Sequence, residues 1–497
     1  MKKVLSIISV LFLYSLQIFS QMDGDDVVIG KYHVINSKVL GEQRRILVNL
    51  PDGYESTELK YPVVYHLYGD YVMHYFADAA SAIDRLSGIG EMPQVILIGV
   101  DNTDRYRDLR PLLPNGAPGG IGKFIQYLKE ELMPFVKEKY RTADYDILIG
   151  PQAGACFGMY TLIEHPDLFN AYILDNSFDN PQNVDDYLLS KATKFFKPNK
   201  SLSTFLFMKV DKDSPNLQVA MEEKKVIESN LPKGFRFEFK LNETDNNFMV
   251  QTDFTYGLIK LFAGYELPIG KDITGLDDIK NYYHSYSEKI GYSVSIPERT
   301  LTLFGDQFNQ SGNTNEAKRV WNYLLEINPK SLNGLFRTAQ MNSSDGKFEE
   351  ARKYFAEFLK IRPQEAMVQN QLKRIDKMIK ESAAYEIEQV ILSAGMKQVQ
   401  ETYARLKNSN QRSKYFDENE FVNMGYRFLS MNKLTEAIDI FKMAIEQFPQ
   451  SFNTWDCLGE AYMKANNTKL AIANYKKSLE LNPNNDNAKK MLEQLQK

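Results

Sequence analysis

The chain predicts two architectures in tandem, a doubly wound α/β sheet domain followed by an all-α repeat domain. Three observations carry this expectation. Between residues 27 and about 267, apolar strand-like runs alternate with helix-compatible stretches, the βαβα order of an α/β domain. From residue 298 onward, landmark residues recur every 34 positions: Ala317 and Ala351, Pro329 and Pro363, Ala437 and Ala471, Pro449 and Pro483. The chain of 497 residues is too long for one ordinary domain, and its 43% apolar and 12% aromatic content can fill several cores. A net charge of −4 and a pI near 5.9 offer no bulk attraction to nucleic acid or an anionic membrane, so no nucleic-acid partner is expected.

The first segment, residues 1–20, has the pattern of a signal peptide. Lys2 and Lys3 precede a mostly apolar run from Val4 to Phe19, and Ser20 is a small residue before a cut at Gln21. The run falls short of the roughly 20 apolar residues that span a bilayer comfortably. Export to a periplasm, cell envelope or the exterior is expected, with no integral membrane segment after the cut. The first cysteine is Cys156, which excludes a lipoprotein anchor near the cut.

The α/β domain is expected over residues 27–267. Val27–Leu50 holds two antiparallel strands at a sheet edge, the clearer being Arg44–Leu50. Further strands are expected at Tyr61–Tyr68, Val95–Val100, Tyr145–Ile149, Ala171–Leu174, Thr204–Val210 and Arg236–Leu241. Most are continuous apolar runs, as required when helices cover both faces of a sheet. Ile121–Tyr140 and Gly154–Glu164 have helical spacing between them. Residues 268–297, with Pro268, Gly270, Gly275, Gly291, Pro297 and four tyrosines, read as a packed linker.

Residues 298–365 and 418–485 each hold two repeats, with an irregular helical pair at 366–417 between them and a capping helix at 486–497. Trp455, Leu458, Gly459, Tyr462, Ala471, Tyr475 and Pro483 mark the last repeat. Small residues at the glycine and alanine positions let paired helices approach, and the large ones fill the gaps between pairs. Residue types and period together resemble the tetratricopeptide repeat. The resemblance implies a concave surface that takes a protein or peptide partner.

The most telling feature lies at Asp146-Ile147-Leu148-Ile149-Gly150-Pro151-Gln152-Ala153-Gly154-Ala155. An apolar strand runs into Gly-x-x-x-Gly and a helix follows. This is the layout of a nucleophile elbow, Gly-x-Ser-x-Gly, with Gln152 where the serine belongs. A carboxamide cannot act as an alkoxide-type nucleophile.

Other stretches extend the likeness. Tyr61–Gly69 is a strand ending in a glycine turn. Asn102-Thr103-Asp104-Arg105-Tyr106-Arg107-Asp108-Leu109-Arg110-Pro111 matches Asn-x-Asp-Arg-x-Arg-Asp-Leu-x-Pro, and His165-Pro166-Asp167-Leu168-Phe169 follows the elbow helix. On these residues the domain resembles the esterase D-like α/β-hydrolases, the group of enterochelin and S-formylglutathione esterases. The resemblance implies a serine, which falls on Gln152. It implies a histidine after the last strand, where Asn246 or Asn247 stands, and an acid after Thr204–Val210, matched by Asp211 or Asp213. The oxyanion hole would use backbone N–H groups at Ala153 and near Asp70. Asp70, Tyr71, Gln152, Ala153, Arg105 and Arg107 are the candidate pocket residues for a small-molecule ligand. For the arginines the alternative is an internal ion-pair network that supports their loop.

The remaining chemistry-bearing residues offer no substitute. Cys156 sits on the elbow helix and reads as a small buried apolar residue, the alternative being a replacement nucleophile. Of the five histidines only His74 falls near the expected pocket. No zinc-ligand spacing appears, and no cofactor or metal is expected. Gly116–Phe124 misses the phosphate-loop pattern at Ala117 and Phe124 and reads as a helix cap. The reading adopted is an exported, catalytically inactive hydrolase homologue that binds through its pocket and its repeats. A carboxylic-ester hydrolase with a non-standard site, and a repeat protein whose sheet domain is a relic, are the alternatives.

Overall fold

The structure is a computed structural model describing residues 28–67, 72–175, 182–197, 201–243, 250–268, 272–408 and 415–496. The chain divides into two compact units at Thr300/Leu301.

The first unit is built on an eight-stranded sheet in the order β1-β2-β4-β3-β5-β6-β7-β8. The strands are β1 (Lys31–Ser37), β2 (Glu42–Asn49), β3 (Tyr61–Leu67), β4 (Ile96–Val100), β5 (Thr142–Pro151), β6 (Ala171–Asp175), β7 (Phe205–Asp211) and β8 (Arg236–Asn242). β1 pairs antiparallel with β2, and β2 antiparallel with β4; from β4 through β8 every pairing is parallel. All seven residues of β3 and all five of β4 are buried, because helices cover both faces of the central strands. Edge strand β1 instead leaves Tyr32 and Val34 exposed.

Two expectations for this unit change. The helix expected over Ile121–Tyr140 is interrupted by a π-helical turn, Leu128–Leu132, between Ile121–Tyr127 and Met133–Lys139. Pro134 lies at the start of the last piece and lacks an N–H to donate back along the helix, and the wider turn absorbs the mismatch. The stretch read as a linker, residues 268–297, belongs to the first unit and carries a helix, Leu276–Ile290. Leu276, Ile279, Tyr283, Tyr286 and Ile290 form a buried stripe at helical spacing. Tyr286 Oη donates to the Phe262 carbonyl at 3.0 Å, and the rings of Tyr292 and Tyr145 lie 4.6 Å apart. The glycines that suggested a linker flank this helix; Gly291, at φ 92°, caps its C-terminus.

The second unit is all-helical. Pairs Thr314–Ile327 with its predecessor Glu298–Gln310, Leu332–Ser344 with Phe348–Ile361, Glu418–Ser430 with Leu434–Gln447, and Phe452–Lys464 with Thr468–Leu481 follow the 34-residue period. A Cβ at Gly425 would lie 2.4 Å from the Phe441 ring, so glycine there sets how closely that pair approaches. Residues 366–417 hold three helices, Ala366–Glu381, Ala383–Ala394 and Met396–Asn408, instead of one irregular pair. Ser382 caps the second and Gly395 ends it, and these two short breaks were too slight to separate by spacing. The terminal helix Asp486–Leu495 buries Ala488 against Ala471 and Tyr475. Among the described residues no helix is long and apolar enough to cross a membrane.

Candidate functional site

The site is built where β5 turns into the helix Ala153–Glu164. Gln152 sits between them at φ 54° and ψ −120°, a backbone conformation that an L-residue rarely adopts. Such a position costs on the order of 1–3 kcal/mol and persists only where its surroundings over-determine it. Here they do. The Gln152 N–H donates to the Asp175 carbonyl at 3.1 Å, and its own carbonyl accepts from Ala155 N–H at 2.9 Å. A Cβ at Gly150 would lie 2.4 Å from the Gly154 carbonyl oxygen, so only glycine permits the turn to close. The result is a sharp elbow at the carboxyl edge of the parallel strands, with Ala153 buried behind it.

Beside the elbow a lysine is buried in the sheet. Lys209, on β7, is 1% exposed. Its ammonium lies 2.8 Å from Asp211 and 3.3 Å from Asp175, its register partner on β6. Asn242 Nδ2 donates to Asp211 at 2.9 Å. Next to this cluster is a narrow cavity with about 30 Å³ of space that a water molecule can reach. Pro151, Asp175 and Lys209 line it at the strand ends, together with Tyr75 and Asp78 from the helix Val72–Ile89 and Phe254 from the helix Val250–Leu261. His66 also lines it, edge-on to Phe254, and burial lowers its pKa to about 4. It is therefore a neutral imidazole at physiological pH.

The structure brings only some of the candidate residues to this place. Gln152 and Ala153 form the elbow, and Asp211 holds Lys209. Asp213 is exposed two residues further on. Arg105 and Arg107 are not among the residues lining the cavity. Arg107 binds Glu42 at 2.8 Å and Asp108 at 2.7 Å, and buried Arg44 reaches both carboxylates at 2.6 Å. Arg105 packs over the Tyr106 ring. The geometry of Arg107 is that of the loop-supporting network. Asp70, Tyr71, Asn246, Asn247 and the His74 side chain lie outside the described residues. Cys156 is 1% exposed, and burial pushes its thiol far up, which leaves no thiolate to attack. Among the described residues, no group of three or more His, Cys, Asp or Glu could hold a metal ion.

Lys209, Asp175 and Asp78 escaped the sequence reading, and His66 lines the cavity although only His74 was expected near it. One signal was present: Lys209 interrupts the apolar run Phe205-Leu206-Phe207-Met208-Lys209-Val210. A lysine in a fully buried strand demands a partner.

A second buried charge lies further back on β5. Burial lifts the Asp146 carboxyl from its ordinary 3.8 to about 6, against the pull of Lys137 at 3.8 Å. Asp146 Oδ1 has no hydrogen-bond partner. The folded state thus holds this proton more tightly than the unfolded chain. The associated stability is full below pH 3.8 and is lost as pH rises through about 6. Asp146→Asn is expected to stabilise the first unit at pH 8 relative to wild type, and not at pH 3.5. The difference between the two pH values should be on the order of 1–3 kcal/mol. Urea melts at both pH values check this, and an equal effect at both would contradict it.

The sheet order and the glycine-bound elbow define an α/β-hydrolase fold. Residues 37–200 match the family model named "Putative esterase", and residues 421–451 and 452–485 match tetratricopeptide-repeat models. Among solved structures the chain is similar to an IroE-like serine hydrolase from Shewanella oneidensis. Identity is 24%, over 59% of this chain and 97% of that one, with a TM-score of 0.50. It is also similar to an uncharacterised protein from Capnocytophaga ochracea, at 17% identity over 70% of this chain and 99% of that one, TM-score 0.44. An enterobactin esterase from Shigella flexneri matches at 15% identity over 48% of this chain and 60% of that one, TM-score 0.36. No match was found among curated proteins. The match to the esterase model thus falls in the first unit and the matches to the tetratricopeptide-repeat models in the second.

Proposed function

We propose that this chain is an exported binding protein that keeps the α/β-hydrolase fold without serine-hydrolase chemistry. The observation that carries the reading is Gln152 in the strained elbow turn. The position retains the backbone cost of presenting a nucleophile while the side chain cannot be one. The buried cation beside it supports the same reading, because Lys209 is held by two carboxylates and is not available as a base. The repeats supply a surface for a protein or peptide, and the narrow cavity next to the elbow would have to widen to take a small molecule. Assay of purified residues 21–497 against short-chain esters is the direct test.

The reading of export rests on Lys2, Lys3 and the apolar run to Phe19, with the periplasm, the cell envelope or the exterior as the destination. N-terminal sequencing of the mature protein should then begin at or near Gln21. Recovery of a soluble cytoplasmic form that retains Met1 would count against it.

A further inference from the structure

The sheet of the first unit ends on β8, which pairs with β7 on one side and with no described strand on the other. It reads Arg236-Phe237-Glu238-Phe239-Lys240-Leu241-Asn242 and keeps parallel register with β7 without a bulge. The two ends of the strand fix where its backbone groups point. Arg236 N–H donates to the Thr204 carbonyl at 3.0 Å, and the Asn242 carbonyl accepts from Lys212 N–H at 3.0 Å. Backbone groups change side with each residue of a strand, so Arg236, Glu238, Lys240 and Asn242 direct theirs to β7. The N–H and C=O groups of Phe237, Phe239 and Leu241 point out of the edge. An unpaired row of this kind is a template for another strand.

The side chains of β8 divide by face. Glu238 and Lys240 lie on the side of the helix Val250–Leu261: Lys260 approaches Glu238 at 4.0 Å, and Lys240 stands 5.3 Å from the centre of the Tyr256 ring. Phe237 and Phe239 lie on the side of the helix Leu217–Ser229, where Lys224 stands 5.6 Å from the centre of the Phe239 ring. Leu241, at the end of the same row, is exposed, as is Met221 one turn before Lys224. Charges on an edge strand ordinarily keep neighbours away, because a copy brings the same sign to the same place. The order of residues along β8 reverses that effect. When β8 pairs antiparallel with itself, outward-facing residues must stand opposite outward-facing residues. Centred on Glu238, the pairing would oppose Glu238 to Glu238 and Arg236 to Lys240; centred on Lys240, it would oppose lysine to lysine. Centred on Phe239, it sets Glu238 opposite Lys240 and Phe237 opposite Leu241 on both sides of the axis, with like charges nowhere opposed.

We propose that two copies of this chain associate through β8, antiparallel and with Phe239 on the two-fold axis, so that their sheets join into one. The outward N–H and C=O groups of Phe237 and Leu241 bond each other across the axis, and those of Phe239 bond their counterparts. Glu238 of each copy meets Lys240 of the other. Its contact with Lys260 is at the long end of an ion pair, which leaves the carboxylate able to take a second cation. A second copy fits this edge better than a foreign strand, because the match needs an acid and a base flanking an apolar residue in reverse order, and β8 itself supplies them. The interface is self-complementary and stops at two copies. It does not depend on whether the site at Gln152 has any chemistry.

The test is sedimentation velocity on purified residues 21–497 at concentrations up to about 100 μM. The wild type is expected to pass from monomer to dimer as concentration rises. Glu238→Lys and Lys240→Glu each oppose like charges across the axis and should weaken the dimer about ten-fold or more. The double variant Glu238→Lys/Lys240→Glu restores the match and should dimerise as the wild type does. Mixing the two single variants should give a heterodimer, since one brings only lysines and the other only glutamates to the paired positions. Far-UV circular dichroism melts check that each variant is folded. If charge reversal unfolds the first unit, Leu241→Pro takes its place: the Leu241 N–H points outward, so proline removes bonds across the axis and none to β7. A wild type that stays monomeric at about 100 μM overturns the proposal. So does a dimer that persists in both single variants, or one that Leu241→Pro leaves intact.

Discussion

Purified residues 21–497 are expected to hydrolyse short-chain p-nitrophenyl esters no faster than the buffer does, and to take no label from a fluorophosphonate probe. In triad hydrolases, loss of the nucleophile or its base lowers turnover on the order of a million-fold, because the two act as a unit. Gln152 lies at the position that presents the nucleophile. What remains is the backbone N–H of Ala153 at the elbow, which by itself stabilises an oxyanion without forming an acyl-enzyme. Gln152→Ser should therefore recover little. A new hydroxyl needs a base that can accept its proton and carry the charge through the reaction. His66 is the described imidazole that lines the cavity, and the burial that lowers its pKa to about 4 penalises the charged form a base must pass through. Lys209 is already engaged in ion pairs with Asp175 and Asp211. Adding histidine at 246 or 247 to Gln152→Ser has the better prospect, with Asp211 as the orienting acid. Robust turnover that disappears in Gln152→Ala would falsify the binding-protein reading. Covalent labelling of any serine in the first unit would do the same.

Lys209→Met is expected to destabilise the first unit by about 3 kcal/mol, the lower end of the range for breaking a buried ion pair. The lower end applies because the Asp211 side chain is 28% exposed and Asp175 13%, so water recovers part of the loss. Methionine fills most of the lysine's volume, which separates the electrostatic loss from a packing defect. The two units can be followed separately in one sample. Both tryptophans, Trp321 and Trp455, lie in the second unit, so their fluorescence reports that unit while far-UV circular dichroism reports both. In urea the variant should lose an early portion of its ellipticity with the tryptophan transition unmoved. Adding Asp175→Asn and Asp211→Asn to Lys209→Met should recover much of the loss, since the cluster is then removed whole. A melt of Lys209→Met that coincides with wild type would show that the buried cation is not holding these strands together.

Much of this molecule was legible without coordinates, because local chain physics writes itself into spacing. Strands buried on both faces appear as unbroken apolar runs, and β3, β4 and β6 fall within a residue or two of where such runs lie. The repeat period of 34 survives because each pair needs its small residue opposite the next helix's aromatic, as Gly425 meets Phe441. The elbow was legible for a similar reason: only glycine fits at 150, so the motif marks the turn whatever side chain stands at 152. The cavity's charges were not legible in this way. Lys209 meets Asp175 because β6 and β7 run parallel in that register, and no local pattern encodes which residues of two strands will face each other. The same holds for Arg107, whose partner Glu42 lies on β2, and for Tyr292, just past the helix Leu276–Ile290, whose ring packs on Tyr145 from much earlier in the chain. Periodicity and turn chemistry are properties of neighbours in sequence. Which buried charge is neutralised, and by what, is decided only when distant segments are brought within a few ångströms of each other.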